Sequence, residues 1–390
     1  MRRKEEFTIY PRSSKKFGKL YWWRTYDSEG KRTSGKSTHQ TSKTAARTYV
    51  INLLKKGPLL TKGEINFGGF AANWFDWDKC AYVKERRIKG GISRTYVEAQ
   101  RSYLSNHILP YFKDMNLSSI KRESVKKWYL GLMEKDSARG GKISTATANH
   151  CLRTLKLILG EAVEQEYLIR NPAQGVSRAK KKKVSRKVYT EEEARKLLCP
   201  ENLHEIWEDN SQLYMANLVA GLTGMRLGEI RALQVQDVRE KEINVEHAWE
   251  RKYGMKSTKT NKSRKVCICA TLQKQLAEYV RSRDLTVSSD LIFCDDDKTK
   301  PAYENRFNQS LYAAQKRIGI NDAERKARHL SFHAWRHFFN TYFRQFVPDW
   351  KLRLLTGHSD QSMTDHYTDP DAVSFDDVRS EQEKLLRKPS

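Results

Sequence analysis

The stretch "LTGHSDQSMTDHYT" at residues 355–368 sets two histidines and a tyrosine around a glycine turn. Gly357 is placed to end one helix and Ser359 to cap the next. His358 then sits in the turn, and Tyr367 lies about two turns farther on. In "GLTGMRLGEIRALQVQDV", Arg226 follows a turn at Gly224 and opens a helix, with Glu229 three residues on along the same face. A guanidinium held from behind by a carboxylate presents its fork outward, a shape that suits phosphate. The same spacing also describes an ordinary surface ion pair. In "LSFHAWRHFFNTYF", His333 and Arg336 stand at i and i+3, and His333 and His337 at i and i+4. The second spacing invites zinc. H-E-x-x-H chemistry needs Glu after the first His, however, and Ala334 is there; Arg336 would also repel a divalent cation. Two readings remain for this helix, a phosphate-gripping His–Arg pair or a plain amphipathic face.

Tyrosine is a poor nucleophile while its pKa stays near 10. Two arginines on one phosphate would favour both the phenolate and the pentacoordinate phosphorane. A phosphotyrosyl link also conserves the energy of a broken phosphodiester, so the chemistry calls for neither ATP nor metal. The chain has no Walker loop and no acidic metal cluster, and no cofactor is expected. Tyr367 is preferred to His366, since adjacent helical residues point about 100° apart. Tyr342 lies among apolar residues and reads as core.

A chain of 390 residues implies two or three domains. Its formal charge of +26 points to a polyanion, with nucleic acid favoured over a membrane surface for want of a basic amphipathic anchor. No apolar run reaches the roughly 18 residues of a membrane span, and the charged N-terminus does not read as a secretory signal. The six cysteines fit no zinc template, and Cys267 and Cys269 read as two residues of one strand face. Such usage suits a reducing cytoplasm.

These residues need a scaffold. Phe17 to Tyr26 and residues 31–38 read as strands about a "DSEG" turn, followed by a helix ending at Gly57. Lysine and arginine interleave there with Tyr21, Trp22 and Trp23, which gives either an aromatic mini-core or a sheet for a DNA groove. Residues 1–60 hold fifteen Lys and Arg against four Asp and Glu, a net of +11. Apolar residues recur at helical spacing from about Asn66 to Ser177. A basic linker follows, with Pro172, Gly175 and the run Lys180 to Lys183. Thr190 and Glu193 form a capping box that opens the next helix. Beyond it lie helices and three strand-like pieces, "EINVEHAWE", "KSTKT" and "RKVCICA".

The order R-x-x-E, then H-x-x-R, then G-H and a Tyr nine residues later resembles the tyrosine recombinases, in particular the phage and conjugative-transposon integrases. The resemblance implies a multidomain, mainly α fold with small β elements. It comprises a three-stranded sheet plus helix as an arm-type DNA-binding domain (1–60) and a helical, SAM-like core-binding domain (64–178). A basic linker (179–188), a mixed α+β catalytic domain (189–375) and a C-terminal tail (376–390) follow.

By the same resemblance, Arg226 and Arg336 clamp the scissile phosphate. His333 hydrogen-bonds an oxygen or moves a proton, and His358 donates to a non-bridging oxygen. Tyr367 attacks to form a 3′-phosphotyrosine. "KSTKTNKSRKVCI" resembles the hairpin that carries the family's general-acid lysine, assigned here to Lys259 with Lys256 and Lys262 as rivals. Lys19, Trp22, Arg24, Lys31, Arg32, Lys36, Lys180, Lys181, Lys182 and Lys183 are the candidate DNA-binding residues.

The function implied is integration and excision of a mobile element through a Holliday junction. A homotetramer would act on core-type and arm-type attachment sites in a bacterial cytoplasm, with accessory excision or DNA-bending factors and the tail docked on a neighbouring protomer. The alternatives are a type IB topoisomerase or junction resolvase, which needs no second DNA site, and a non-catalytic DNA-binding regulator.

Overall fold

The computed structural model describes residues 7–14, 18–25, 32, 35–54, 65–138, 140–180, 187–257, 263–357 and 373–387. The chain divides into two compact units, Met1–Lys183 and Val184–Ser390. Most described residues are helical, with three small sheets.

The first unit opens with an antiparallel sheet, β1 (Phe7–Ser14), β2 (Gly18–Thr25) and β3 (Lys36–Gln40), in the order β1-β2-β3. β2 and β3 grow from the two segments whose pattern predicts strands. β1 comes from the charged N-terminal stretch; it lies at an edge, where Pro11 can be accommodated. Helix α1 (Lys43–Leu54) packs on the sheet, burying Phe7, Trp23 and Val50 with Ile9 and Leu53 against them. Because side chains alternate along a strand, Trp22 and Arg24, with Tyr10 and Arg12 of β1, point away from α1.

Six helices follow: α2 (Phe67–Ala71), α3 (Ala81–Ile88), α4 (Arg94–Tyr103), α5 (Leu109–Phe112), α6 (Arg122–Glu134) and α7 (Thr145–Glu164). A π-helical turn, Leu104–Ile108, joins α4 to α5 without a break, and this wide turn precedes Pro110 and accommodates its missing N–H. The core gathers Phe67, Phe112, Leu104, Ile108, Leu155 and Ile158. The Tyr129 hydroxyl donates to Asn149 Oδ1 (2.5 Å) and accepts from the N–H of Ala179 (2.8 Å). That pair fixes the chain as it leaves the bundle.

The second unit contains α8 (Glu191–Leu198), α9 (Leu203–Trp207), α10 (Ser211–Thr223) and α11 (Leu227–Arg231). The strands β4 (Glu242–Val245), β5 (His247–Glu250), β6 (Gly254–Ser257) and β7 (Arg264–Cys267) come next. Helices α12 (Ala270–Ser282), α13 (Glu304–Arg317), α14 (Asp322–Arg328), α15 (Ala334–Phe343), α16 (Asp349–Thr356) and α17 (Asp376–Leu386) complete it. The Thr190–Glu193 capping box forms as its spacing predicts. Helix α10 is buried along nearly its whole length, and α15 packs across it, pinned where Trp335 Nε1 donates to Asn217 Oδ1 (2.8 Å).

Three expectations change here. "EINVEHAWE" breaks at Glu246 into β4 and β5; β4 pairs with β7, and β5 with β6. Among the described residues, the arms of the expected hairpin therefore pair with residues 242–250 and not with each other. Ile243 and Val266 stand opposite one another, both fully buried, so apolar pairing selects the partner. Cys267 ends β7, but Cys269 is the N-cap of α12, whose first turn is held by the Glu383 carboxylate accepting from Thr271 N–H (2.9 Å) and Oγ1 (2.5 Å).

The third change concerns the C-terminal segment. The tail that reads as docking on a neighbouring protomer forms helix α17, which packs on its own domain. Val378, Leu385 and Leu386 join the second unit's core. The fully buried Gln382 donates to the carbonyls of Leu222 (2.8 Å) and Cys267 (3.1 Å). Among the described residues, no helix is long and apolar enough to cross a membrane.

Gln382→Leu would strand two buried carbonyls, each worth about 1–3 kcal/mol. Urea unfolding of the monomer should therefore show a clear loss of stability that is independent of protein concentration. A loss confined to concentrations at which the chain self-associates would place α17 on a neighbour.

Candidate active site

Arg226 is the N-cap of α11, immediately after the turn in which Gly224 (φ +65°) closes α10. A Cβ at Gly224 would lie 2.7 Å from Phe339 Cδ1, so glycine is required twice over. The expected Arg226–Glu229 pair forms: Arg226 Nη1 donates to Glu229 Oε1 at 2.7 Å, and its backbone N–H to Oε2 at 2.9 Å. Its side chain remains 36% exposed, while that of Glu229 is only 3% exposed. A third group completes the arrangement. Arg264 Nη1 and Nη2 donate to Glu229 Oε1 (3.1 Å) and Oε2 (2.6 Å), and its Nε to the Leu355 carbonyl (2.7 Å).

Arg336 lies on α15 and is 4% exposed. Its Nη1 donates to the carbonyl of Gly224 (2.9 Å) and its Nη2 to that of Thr356. The one guanidinium thus joins the turn before Arg226 to the end of α16, where Gly357 (φ +63°) is the C-cap. Two of its five N–H groups serve these carbonyls. Burial, together with the nearby charges of Arg226 and Arg264, pushes Arg336 down to about 9, with Glu229 acting the other way. It is still a cation at neutral pH.

For Glu229, burial alone would raise the carboxyl. The hydrogen bonds and charge of Arg264, and then those of Arg226, outweigh it and hold the group below its ordinary value. Two guanidinium groups thus bind one carboxylate, with the charge of Arg336 close enough to feel it, and the excess positive charge suits a phosphate.

His333 is the N-cap of α15, exposed, and its ring meets that of His337 edge-on with centroids 5.0 Å apart. Both histidines line a cleft of about 380 Å³ with Arg336, Asn340, Arg344 and Arg353. Among the described residues, no group of three or more His, Cys, Asp or Glu side chains could hold a metal ion. Tyr342 is buried, stacked on Phe338, and burial raises its phenol, all of which suits a core residue. Lys259, Lys262, His358, His366 and Tyr367 lie outside the described residues. Lys256 lies on β6 with its ammonium paired to Glu250.

The nominated DNA-binding residues separate. Trp22 and Arg24 share the open face of the sheet, where Arg12 sits over the Trp22 ring (4.7 Å) and Arg24 over Tyr10 (5.0 Å). Lys19 and Lys36 lie in register with the opposite face, near Tyr21 and Trp23. Arg32 and Lys180 are exposed; Lys31, Lys181, Lys182 and Lys183 lie outside the described residues. Sequence reasoning missed Arg12, Tyr10 and Arg264. Strand alternation carried the signal for Arg264, since it shares a face with the buried Val266.

Residues 187–373 match the phage integrase family, and residues 66–133 match the phage integrase N-terminal SAM-like domain. The chain belongs to the phage integrase family of tyrosine recombinases. It is similar to the ICEBs1 integrase of Bacillus subtilis (strain 168), 29% identical over 143 residues. That match covers 37% of this chain and 36% of the relative, so it spans about a third of the relative's length. Among solved structures, the Tn1549 transposon integrase in complex with transposon right end DNA is similar at a TM-score of 0.58 and 20% identity, over 78% of this chain and 98% of that one. A lambda integrase tetramer bound to a Holliday junction is similar at 0.56 and 16%, over 90% and 96%. At these identities the likeness is one of fold.

The buried carboxylate makes a pH prediction for this integrase-family chain. A carboxyl held below 4.5 in the folded state stabilises the fold above that pH, and the contribution is lost as pH falls through the depressed value. The melting temperatures of the native protein and Glu229→Gln should therefore differ most above pH 4.5 and converge on acidification. A gap that stays constant with pH would mean that the charge on Glu229 is not what holds the site.

Proposed function

We propose that the chain is a site-specific DNA recombinase of a mobile element, cleaving and rejoining strands through a 3′-phosphotyrosyl intermediate. The observation that carries this reading is Arg336: a buried guanidinium, tied to the turn before Arg226 and to the end of α16, in a site with more positive than negative charge.

Arg226 and Arg336 grip the non-bridging oxygens of the scissile phosphate and favour the phosphorane. His333 borders the same cleft and hydrogen-bonds an oxygen or moves a proton, and His358 donates to a non-bridging oxygen. The Tyr367 phenol passes its proton to a base, the role open to His333, and its oxygen bonds to phosphorus as the bond to the 5′-oxygen breaks. Lys259 protonates that leaving oxygen. The 5′-hydroxyl of the other strand then attacks the phosphotyrosine, reforming a phosphodiester and releasing Tyr367. The pairing of Lys256 with Glu250 disfavours Lys256 in the acid role and leaves Lys259 with Lys262 as its rival.

Two exchanges through a Holliday junction, carried out by four protomers on core-type sites, would integrate or excise the element. The solved relatives, one with transposon DNA and one a tetramer on a Holliday junction, support that assembly. The open face of the sheet, with its stacked arginines on Trp22 and Tyr10, suits a second, arm-type DNA site. The setting would be the bacterial cytoplasm, with accessory excision or bending factors controlling direction.

Tyr367→Phe should abolish covalent adduct on a nicked suicide duplex while leaving DNA binding near that of the native protein, because only one hydroxyl is removed. Adduct that survives Tyr367→Phe and disappears in Tyr342→Phe would move the nucleophile. Lys259→Ala should be slow on ordinary DNA and recover on a substrate whose 5′-leaving atom is sulfur, since a thiolate departs without a proton. Recovery of Lys256→Ala or Lys262→Ala in its place would shift the general acid along the chain.

A further inference from the structure

Arg264 has no role of its own in the proposed chemistry, although it falls within the stretch "KSTKTNKSRKVCI". It is the first residue of β7, just after the segment that holds Lys259 and Lys262. Only 11% of its side chain is exposed. Its single guanidinium reaches three acceptors: both oxygens of Glu229, 35 residues away, and the Leu355 carbonyl, 91 residues away. A Cβ on Gly357 would come within 3.3 Å of Arg264 Cδ, so the turn after α16 also closes directly on this side chain. Successive carbonyls at the end of α16 are thus held by arginines, Leu355 by Arg264 and Thr356 by Arg336.

We propose that Arg264 is a positioning residue: through Glu229 it sets the aim of Arg226, and through Leu355 it keeps the end of α16 in register with that aim. The proposal rests on the recombinase reading above. Glu229 bonds Arg226 on one side and Arg264 on the other, so its carboxylate cannot turn without breaking one set of bonds. Neutralising Glu229 would need only a charge. Meeting three acceptors in three directions needs a fork, which lysine lacks. All three kinds of nitrogen on the Arg264 guanidinium are engaged by Glu229 and the Leu355 carbonyl, so in this proposal it acts by placing those neighbours.

The test uses the full chain and nicked suicide duplexes built from the ends of the element that encodes it. The scissile group is either a phosphodiester or a neutral methylphosphonate. Arg264→Lys should bind this DNA and melt much as the native protein does, yet cleave the phosphodiester about 100-fold more slowly, the cost of misplacing a reacting group by roughly 1 Å. On the methylphosphonate there is no anionic oxygen to clamp, so the aim of Arg226 matters less and the native-to-variant ratio should shrink toward one. The Arg264→Lys, Glu229→Gln double variant should be no slower than the slower single variant, since both act through one path.

An equal ratio on the two substrates would overturn the proposal. So would a cleavage loss that tracks lost binding or lowered melting, which would make Arg264 a residue of the fold alone. Full-speed cleavage by Arg264→Lys, with adduct formed by the native protein, also overturns it and leaves the recombinase reading standing. No adduct from the native protein removes that reading as well.

Discussion

One buried carboxylate organises the catalytic unit. Glu229 is almost wholly removed from water, a placement that would cost several kcal/mol if its charge were left alone. It is tolerated because the Arg226 backbone N–H and two guanidinium groups surround it. The same bonds fix the opening turn of α11, the first residue of β7 and, through Arg264, the Leu355 carbonyl near the end of α16. Elements separated by more than a hundred residues are thereby held to one point. Hydrophobic packing of α10 against α15 brings these elements close, but it is non-directional. The carboxylate supplies direction, because both of its oxygens are engaged by named donors.

Local features were legible in the sequence wherever spacing alone determines geometry. The i, i+3 relation of Arg226 and Glu229, the capping box at Thr190 and the helix that carries His333 and Arg336 all follow from rules of a single turn. Tyr342 could be assigned to the core because its neighbours on α15 are apolar. The features that escaped depend on contacts across the fold. Arg264 reads as one more basic residue in "KSRKV" until strand pairing sets it opposite the buried Val245 and turns it inward. Cys269 looks like a strand residue because nothing nearby in the chain announces that Glu383 will hold the start of α12. Helix α17 reads as a tail for the same reason: its partners, Leu222 and Cys267, are far away in sequence.

The charge of the chain serves two different physical purposes. Most of the +26 resides on exposed lysines and arginines, where screening by salt makes each contact with phosphate weak and easily exchanged. Under the proposed function that is the regime of finding and holding DNA, and the Arg12–Trp22 and Arg24–Tyr10 stacks would belong to it. Arg336 belongs to the other regime. Removed from solvent, its charge is poorly screened and acts strongly on whatever anion enters beside it.

A site poised in this way gains from an anion what it lacks without one. With Arg226, Arg264 and Arg336 about a single carboxylate, the folded chain carries repulsion that burial has already driven into the titration of Arg336. A phosphate placed between Arg226 and Arg336 would relieve that repulsion, and a phosphorane with more charge on its oxygens would relieve it further. In the proposed reaction the difference between those two reliefs would supply the acceleration, because interactions made equally with the bound substrate do not lower the barrier to reaction from the complex. The rigidity imposed by Glu229 then has a catalytic meaning. Guanidinium groups free to follow the phosphate in its ground state would stabilise substrate and transition state alike. Guanidinium groups held by Glu229 and by the carbonyls of Gly224 and Thr356 can be set where the charge will be.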